Sequence, residues 1–177
     1  FGQTTNYKVA GRYSVSNSLS LRGSVSTGFR APSLAQKHYN LVFNNIVAGE
    51  SVRTLLASNT SAVAKAFGIG ELTEETAANS SVGFTFNIGE LSATVDAYSI
   101  AVKDRIVLTD NFDASALNVG AEDAQFFANG VDTKTTGVDI VLNYSKSVGN
   151  GNRLSVGLAG NMNTLEIEKI NNGELNE

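Results

Sequence analysis

The chain has 177 residues, 42% of them apolar and 17% charged, with a formal net charge of −4 and no cysteine. That balance carries no basic footprint for nucleic acid, and the missing cysteine excludes disulfides, thiolate metal sites and a cysteine nucleophile. No apolar stretch approaches the roughly 20 residues of a membrane helix, which excludes helical spans and leaves barrel strands of about 10 alternating residues open.

Six segments alternate with a period of two, the signature of strands with one apolar face. In the first, Tyr7, Val9, Gly11, Tyr13 and Val15 alternate with Lys8, Ala10, Arg12, Ser14 and Ser16. In the second, Leu19, Leu21, Gly23, Val25, Thr27 and Phe29 alternate with Ser20, Arg22, Ser24, Ser26 and Gly28. Only Asn17 and Ser18 separate the two, which predicts a hairpin. The alternation then stops at Arg30, beside Pro32, the one proline of the chain.

Residues 30–75 form an excursion too long to be structureless. SVRTLLAS (51–58) and TSAVAKAFG (60–68) have helical composition, with Gly68 placed to end the second helix. The third strand carries Val82, Phe84, Phe86 and Ile88. The fourth runs from about Leu91 to Leu108, with Tyr98, Ile100, Val102, Ile106 and Leu108 on one face and Ser99, Lys103 and Arg105 on the other. Asp104 interrupts the apolar face and predicts a bulge or an interface position. A second excursion covers about 111–130. The fifth strand, roughly 131–145, ends in Val138, Ile140, Leu142 and Tyr144. The sixth starts with Leu154, Val156 and Leu158, and its phase is expected to slip before Leu165 and Ile167.

The expected fold is all-β, an antiparallel up-and-down meander of about six long strands. These run to about 10–18 residues, against about 5–6 for globular strands. Short turns at 17–18, 87–90 and 147–152 alternate with the long excursions at 30–75 and 111–130. In a meander all the short connections therefore fall at one end, as in outer-membrane barrels with tight periplasmic turns and long external loops. Alternation alone leaves two readings open. A soluble sheet buries Leu19, Leu21 and Val25, whereas a membrane barrel turns them to lipid and lines its lumen with Lys8, Arg12, Arg22 and Arg30. Tyr98 and Tyr144 then fit an aromatic girdle near the short turns, with ordinary strand packing as the alternative.

GFRAPSL (28–34) resembles the segment with which TonB-dependent outer-membrane receptors leave a barrel strand for an external loop. LTEETAANSSVGF (72–84) is similar to the block where that family resumes, keeping Leu72, Glu75, Asn79, Gly83 and Phe84. It departs at Glu74, Ala77 and Ser81, where the family has Pro, Ser and Glu. DAYSIAVKDRIVL (96–108) looks like the following strand, with Tyr98, Ile100, Asp104, Arg105 and Ile106 in place. FFANGVDTKTTGVDIVLNYS (126–145) looks like the next descending strand, matching at Asn129, Gly137, Val138 and Asp139.

The resemblance implies residues 1–177 as a partial receptor barrel, with external loops at 30–75 and 111–130. It places the chain in the outer membrane of a Gram-negative bacterium, in contact with its lipid. It also implies energy-coupled uptake of a scarce nutrient such as a ferric siderophore or cobalamin, through a TonB complex that acts on a plug region not contained here. Family barrels have about 22 strands, so six are a segment. Phe1 opens without a start methionine, and the NNGELNE tail stops without a closing element. An excised piece is therefore expected, with any targeting signal outside it. Six strands leave two open edges, and in water such a piece is expected to self-associate through them or through its apolar face. The reading from another class is a soluble all-β ligand-binding or adhesion module.

No enzymatic constellation emerges, and no catalytic, cofactor, metal or ligand-binding residue is assigned. His38 is the single histidine and has no cysteine or second histidine beside it, so a solvent-facing loop position is expected. Glu74 with Glu75, and Asp104 with Arg105, read as charge at a sheet rim, since adjacent strand residues point to opposite faces. GIGE (68–71) and GNGN (149–152) read as glycine turns, and AEDAQFF (121–127) as a solvated loop. Arg12, Arg22 and Arg30 share one predicted face. Either they meet an acidic plug or an anionic ligand, or they balance Asp and Glu on neighbouring strands.

Overall fold

The computed structural model describes residues 3–171, so the readings on Phe1 and on the tail from 172 lie outside the described residues. In chain order the elements are β1 (Lys8–Ser14), β2 (Leu19–Arg30), α1 (Leu34–His38), β3 (Leu41–Val47), β4 (Glu50–Leu56) and α2 (Ala62–Ala66). They continue with β5 (Glu75–Ile88), β6 (Leu91–Leu108), β7 (Phe112–Asp113), β8 (Asp123–Gln125), β9 (Phe127–Gly149) and β10 (Asn152–Ile170). Six of the strands form one sheet in the order β1-β2-β5-β6-β9-β10, every pair antiparallel. This is the expected meander, and β6 spans the predicted residues. β5, β9 and β10 are longer than their apolar cores suggest. The loop-side halves of β5 and β9 are rich in Ala, Ser, Thr, Asn and Gly, which alternate less visibly, and that of β10 mixes Leu165, Ile167 and Ile170 with Glu166, Glu168 and Lys169.

The register shows how the two faces are built. One row across all six strands reads Tyr13, Leu21, Phe84, Val95, Ile140, Gly160. The adjacent row, one residue along each strand and so on the opposite face, reads Arg12, Arg22, Gly83, Asp96, Asp139, Asn161. Among the described residues nothing covers the apolar face: Tyr13 is 70% exposed and Met162 80%. At the short-turn end the strands reverse through β2–β1-type tight connections. The last of these places Gly149, Asn150 and Gly151 consecutively at φ 90°, 49° and 76°, a backbone that glycine adopts at little cost.

Three sequence expectations change. The expected slip in β10 before Leu165 is no slip of register, because its pairing with β9 runs unbroken from Arg153 to Ile167 and shifts only at its ends, between Asn152 and Arg153 and between Ile167 and Lys169. What changes is the face that carries apolar residues. Toward the long loops, Ile100, Val102, Leu165 and Ile167 lie on the face of Arg22, while Lys103, Lys134 and Glu166 lie on the face of Leu21. Tyr98 is a second correction. It shares the row of Ser81 and Gly137 on the polar face and is no part of an outward girdle. Tyr144, opposite Leu91 at the short-turn end, does lie on the apolar face. Third, residues 51–58 are mainly the strand β4 rather than a helix, since Thr54, Leu55 and Leu56 pair with β8. The bulge at Asp104 is present: Asp104 has φ 55° and the β6–β9 register shifts between Val102 and Arg105.

The two excursions fold against each other into a small lobe. Its sheet runs β3-β4-β8-β7, with β4 and β8 parallel. Its core is Leu55, Ala57, Ala64, Ile69, Ala114, Ala124 and Phe126, with Phe67 and Phe112 packed against it. The rings of Phe67, Phe112 and Phe126 stand 5.2–5.9 Å apart in tilted contacts. Of residues 121–127, Ala124 and Phe126 belong to this core, so the segment is not the solvated loop expected. Helix α2 forms where the sequence predicts one, capped by the Ser61 side chain on the Ala64 amide, and Gly68 follows it at φ 70°. Asn59 ties the lobe to the large sheet, its amide nitrogen donating to the carbonyls of Gly70 (3.0 Å) and Phe127 (2.7 Å).

Candidate functional site

The polar face of the six-stranded sheet is organised by ion pairs. Arg22 Nε donates to Asp96 Oδ1 at 2.7 Å, and its Nη2 pairs with Asp96 Oδ2. The two side chains reach across β5 because the residue between them is Gly83. A Cβ there would stand 2.0 Å from Asp96 Oδ1 and 2.7 Å from the Val95 carbonyl oxygen. Gly83→Val is therefore expected to cost about 1–3 kcal/mol by overpacking. Gly11→Val, where nothing lies within 4 Å of the added carbon, meets no such clash. Chemical unfolding of the two variants should separate them.

Next along this face, Asp139 sits directly opposite Asp96. Asn161 Nδ2 donates to Asp139 Oδ1 and to Tyr98 Oη (3.1 Å). The Tyr98 ring lies over Gly137, whose missing Cβ would fall 2.5 Å from the phenol oxygen. Arg12 donates to Ser20 Oγ at 3.2 Å. The three predicted arginines do share one face, and two of them are engaged by acids, Arg22 by Asp96 two strands away and Arg30 by Glu75 on the neighbouring strand.

At the loop end of the sheet, Arg30 and Glu75 close the β2–β5 pair. Arg30 Nε donates to Glu75 Oε2 at 2.7 Å and Nη2 pairs with Oε1. The Ile106 amide donates to the same Oε1 at 2.8 Å. Glu75 is buried, so its partners compensate for the water it loses. The sheet-rim reading of Glu75 holds, and Glu74 beside it is exposed. Above this rim the lobe and the ends of β6 and β9 line a half-open cavity of about 810 Å³. His38 is exposed in the last turn of α1. That helix was missed in the sequence, although Ser33 and Gln36 form a capping box at its start.

Residues 1–174 match the family described as TonB dependent receptor-like, beta-barrel. The chain belongs to that family. No curated protein matches the sequence. Among solved structures it is similar to the siderophore receptor PirA from Pseudomonas aeruginosa, at 14% identity and a TM-score of 0.63, covering 92% of this chain and 28% of that one. The RagAB peptide transporter is 23% identical with a TM-score of 0.64, over 93% of this chain and 18% of its own. The copper transporter OprC is 16% identical with a TM-score of 0.52, over 89% and 20%. The chain thus spans less than a third of the length of these structures.

Members of this family are barrels of the Gram-negative outer membrane, and the family is one of receptors and transporters. A barrel segment of a TonB-dependent receptor turns its apolar face to lipid and its polar face to the interior. The Leu21–Ile140 row is thereby the lipid face, and the Arg22–Asp96–Asp139 row lines the lumen. The soluble-module reading fails on the same geometry, because the apolar face is not sandwiched inside a compact core. The buried cluster of the described residues belongs to the loop lobe instead.

Proposed function

We propose that this chain is part of a TonB-dependent receptor for energy-coupled uptake of a scarce nutrient, such as a ferric siderophore or cobalamin. The observation that carries the reading is the division of labour along the chain. The strands supply a lipid-facing wall and a charged lumen, while the excursions 30–75 and 111–130 are gathered at one end into an ordered lobe. A packed lobe at the mouth of a barrel suits recognition, since loops held by a rigid scaffold commonly carry binding. These excursions are the external loops in this reading, and the short turns face the periplasm. Energy arrives from a TonB complex acting on a plug region in the complete receptor. Siderophores, copper and peptides, named for the similar structures, show that barrels of this fold serve different cargoes.

The test is growth. A strain lacking the gene is supplied in turn with ferric siderophores, cobalamin and glycans as the limiting source. Loss of growth on one of them, restored by the intact gene, is the expected result. Unimpaired growth on every source would overturn the uptake reading.

A further inference from the structure

The four segments GFRAPSL, LTEETAANSSVGF, DAYSIAVKDRIVL and FFANGVDTKTTGVDIVLNYS lie far apart in the chain, yet all four meet around the bulge of β6. Thr76 and Lys103 are the last pair between β5 and β6. Beyond them β6 runs on against β9, from Arg105 opposite Val131 to Leu108 opposite Phe127. This ribbon leads into the second excursion. The register shifts on both sides of Arg105, and a bulge of this kind interrupts the backbone ladder.

Side chains take the place of the interrupted ladder. The Asp104 amide donates to Asp132 Oδ1 at 2.9 Å, and the Asp104 carbonyl accepts from Asn129 Nδ2 at 2.6 Å. The Ile106 amide donates to Glu75 Oε1 at 2.8 Å, and Arg30 reaches Glu75 from β2. Asn129 also grips Thr73, where the first excursion returns to the sheet. Its Oδ1 accepts from the Thr73 amide at 2.9 Å, and its Nδ2 donates to the Thr73 carbonyl at 3.1 Å. Those are the two bonds that a strand neighbour would exchange. One side-chain amide therefore joins the returns of both excursions to the bulge. Asn59 does not duplicate this. It binds Gly70 and Phe127, which precede Thr73 and Asn129 on the lobe side, so it braces the lobe without reaching the bulge.

We propose that Asn129 is a latch: it fixes the lobe to the barrel rim through the β6 bulge, and without it the lobe swings as a folded unit. The lobe keeps its own core, Leu55 to Phe126, none of which Asn129 supplies, so releasing the latch leaves it folded. With the latch closed the lobe is preorganised, and binding a cargo involves no ordering of it. That consequence rests on the uptake reading, whereas the latch does not.

The test is pulsed electron–electron double resonance on the purified full-length receptor in detergent, without cargo. The chain contains no cysteine, and any elsewhere in the receptor is replaced by serine. Nitroxides at Lys65→Cys in α2 and Asn17→Cys in the β1–β2 turn, both exposed positions, report the distance from lobe to barrel. Nitroxides at Lys65→Cys and Ser51→Cys report a distance inside the lobe. A narrow lobe-to-barrel distribution is expected while Asn129 is present. Asn129→Ala should widen it about twofold, with the distribution inside the lobe and the heat-dependent gel mobility unchanged. Asn129→Asp loses the donor to both carbonyls and should widen it too. Asp104→Gly accepts φ 55° and keeps the backbone groups that the latch uses, so it should stay narrow. An unwidened lobe-to-barrel distribution in Asn129→Ala overturns the latch. Equal widening inside the lobe also overturns it, since Asn129 would then belong to the fold of the lobe rather than to its attachment. Widening by Asp104→Gly as large as by Asn129→Ala does the same. Unimpaired growth on every nutrient would overturn the uptake reading and leave these distances standing.

Discussion

Phe126→Ala is expected to unfold the loop lobe while the six-stranded sheet persists. Phe126 is completely buried and touches both other rings of the lobe. Removing such a ring leaves a cavity and costs about 3–5 kcal/mol. The lobe has little with which to absorb this, because four of its seven core residues are alanines: Ala57, Ala64, Ala114 and Ala124. The large sheet draws on a different source, continuous antiparallel pairing and contact with lipid, so the two parts should fail separately. The measurement is limited proteolysis of the full receptor in detergent, beside its gel mobility with and without heating. Rapid cleavage within 41–69 and 109–126, with unchanged heat-dependent mobility, is the expected result. Phe126→Leu keeps most of the volume and should stay resistant. Protease-resistant loops in Phe126→Ala would show that the lobe is held by something other than this cluster.

The division between what the residues reveal and what they hide follows this same boundary. The large sheet was legible because alternation is a local signal: Leu19, Leu21 and Val25 declare their face without reference to any partner. Asp104 announced its bulge for the same reason, as a charge in an apolar phase. The lobe was not legible. β4 pairs with β8 across about 70 residues of chain, a contact that no local pattern encodes. SVRTLLAS therefore looked helical on composition alone, and AEDAQFF looked solvated although Ala124 and Phe126 are fully buried. Tyr98 misled for another reason. Its apolar neighbours Ile100 and Val102 suggested the lipid face, but they lie where the apolar residues have already changed sides. The half-open cavity escaped entirely, because Glu71, Asp110 and Asn171 come from three separate segments that meet only through the lobe.

That change of sides makes the orientation of the sheet the claim most worth testing, and two adjacent residues suffice. Ile140 lies in the apolar row between Val95 and Gly160, and Val141 lies on the opposite face between Thr94 and Ala159. Both are aliphatic, both are in β9, and both are more than a third exposed in the open sheet, at 43% and 37%. A soluble fold that buried the Leu21 row would penalise arginine at 140 for burial in protein, and closing the barrel penalises it for burial in lipid. The discriminating variable is therefore the bilayer. In the full receptor refolded into lipid vesicles, Ile140→Arg is expected to cost about 2–4 kcal/mol near the bilayer midplane. Val141→Arg should cost little, since it enters a hydrated lumen beside Asp96 and Asp139. Thicker bilayers should sharpen the difference, because they place residue 140 deeper in hydrocarbon. Urea titration of the folded fraction reads both variants on one scale. Equal costs, or a larger cost at Val141, would reverse the assignment of the two faces.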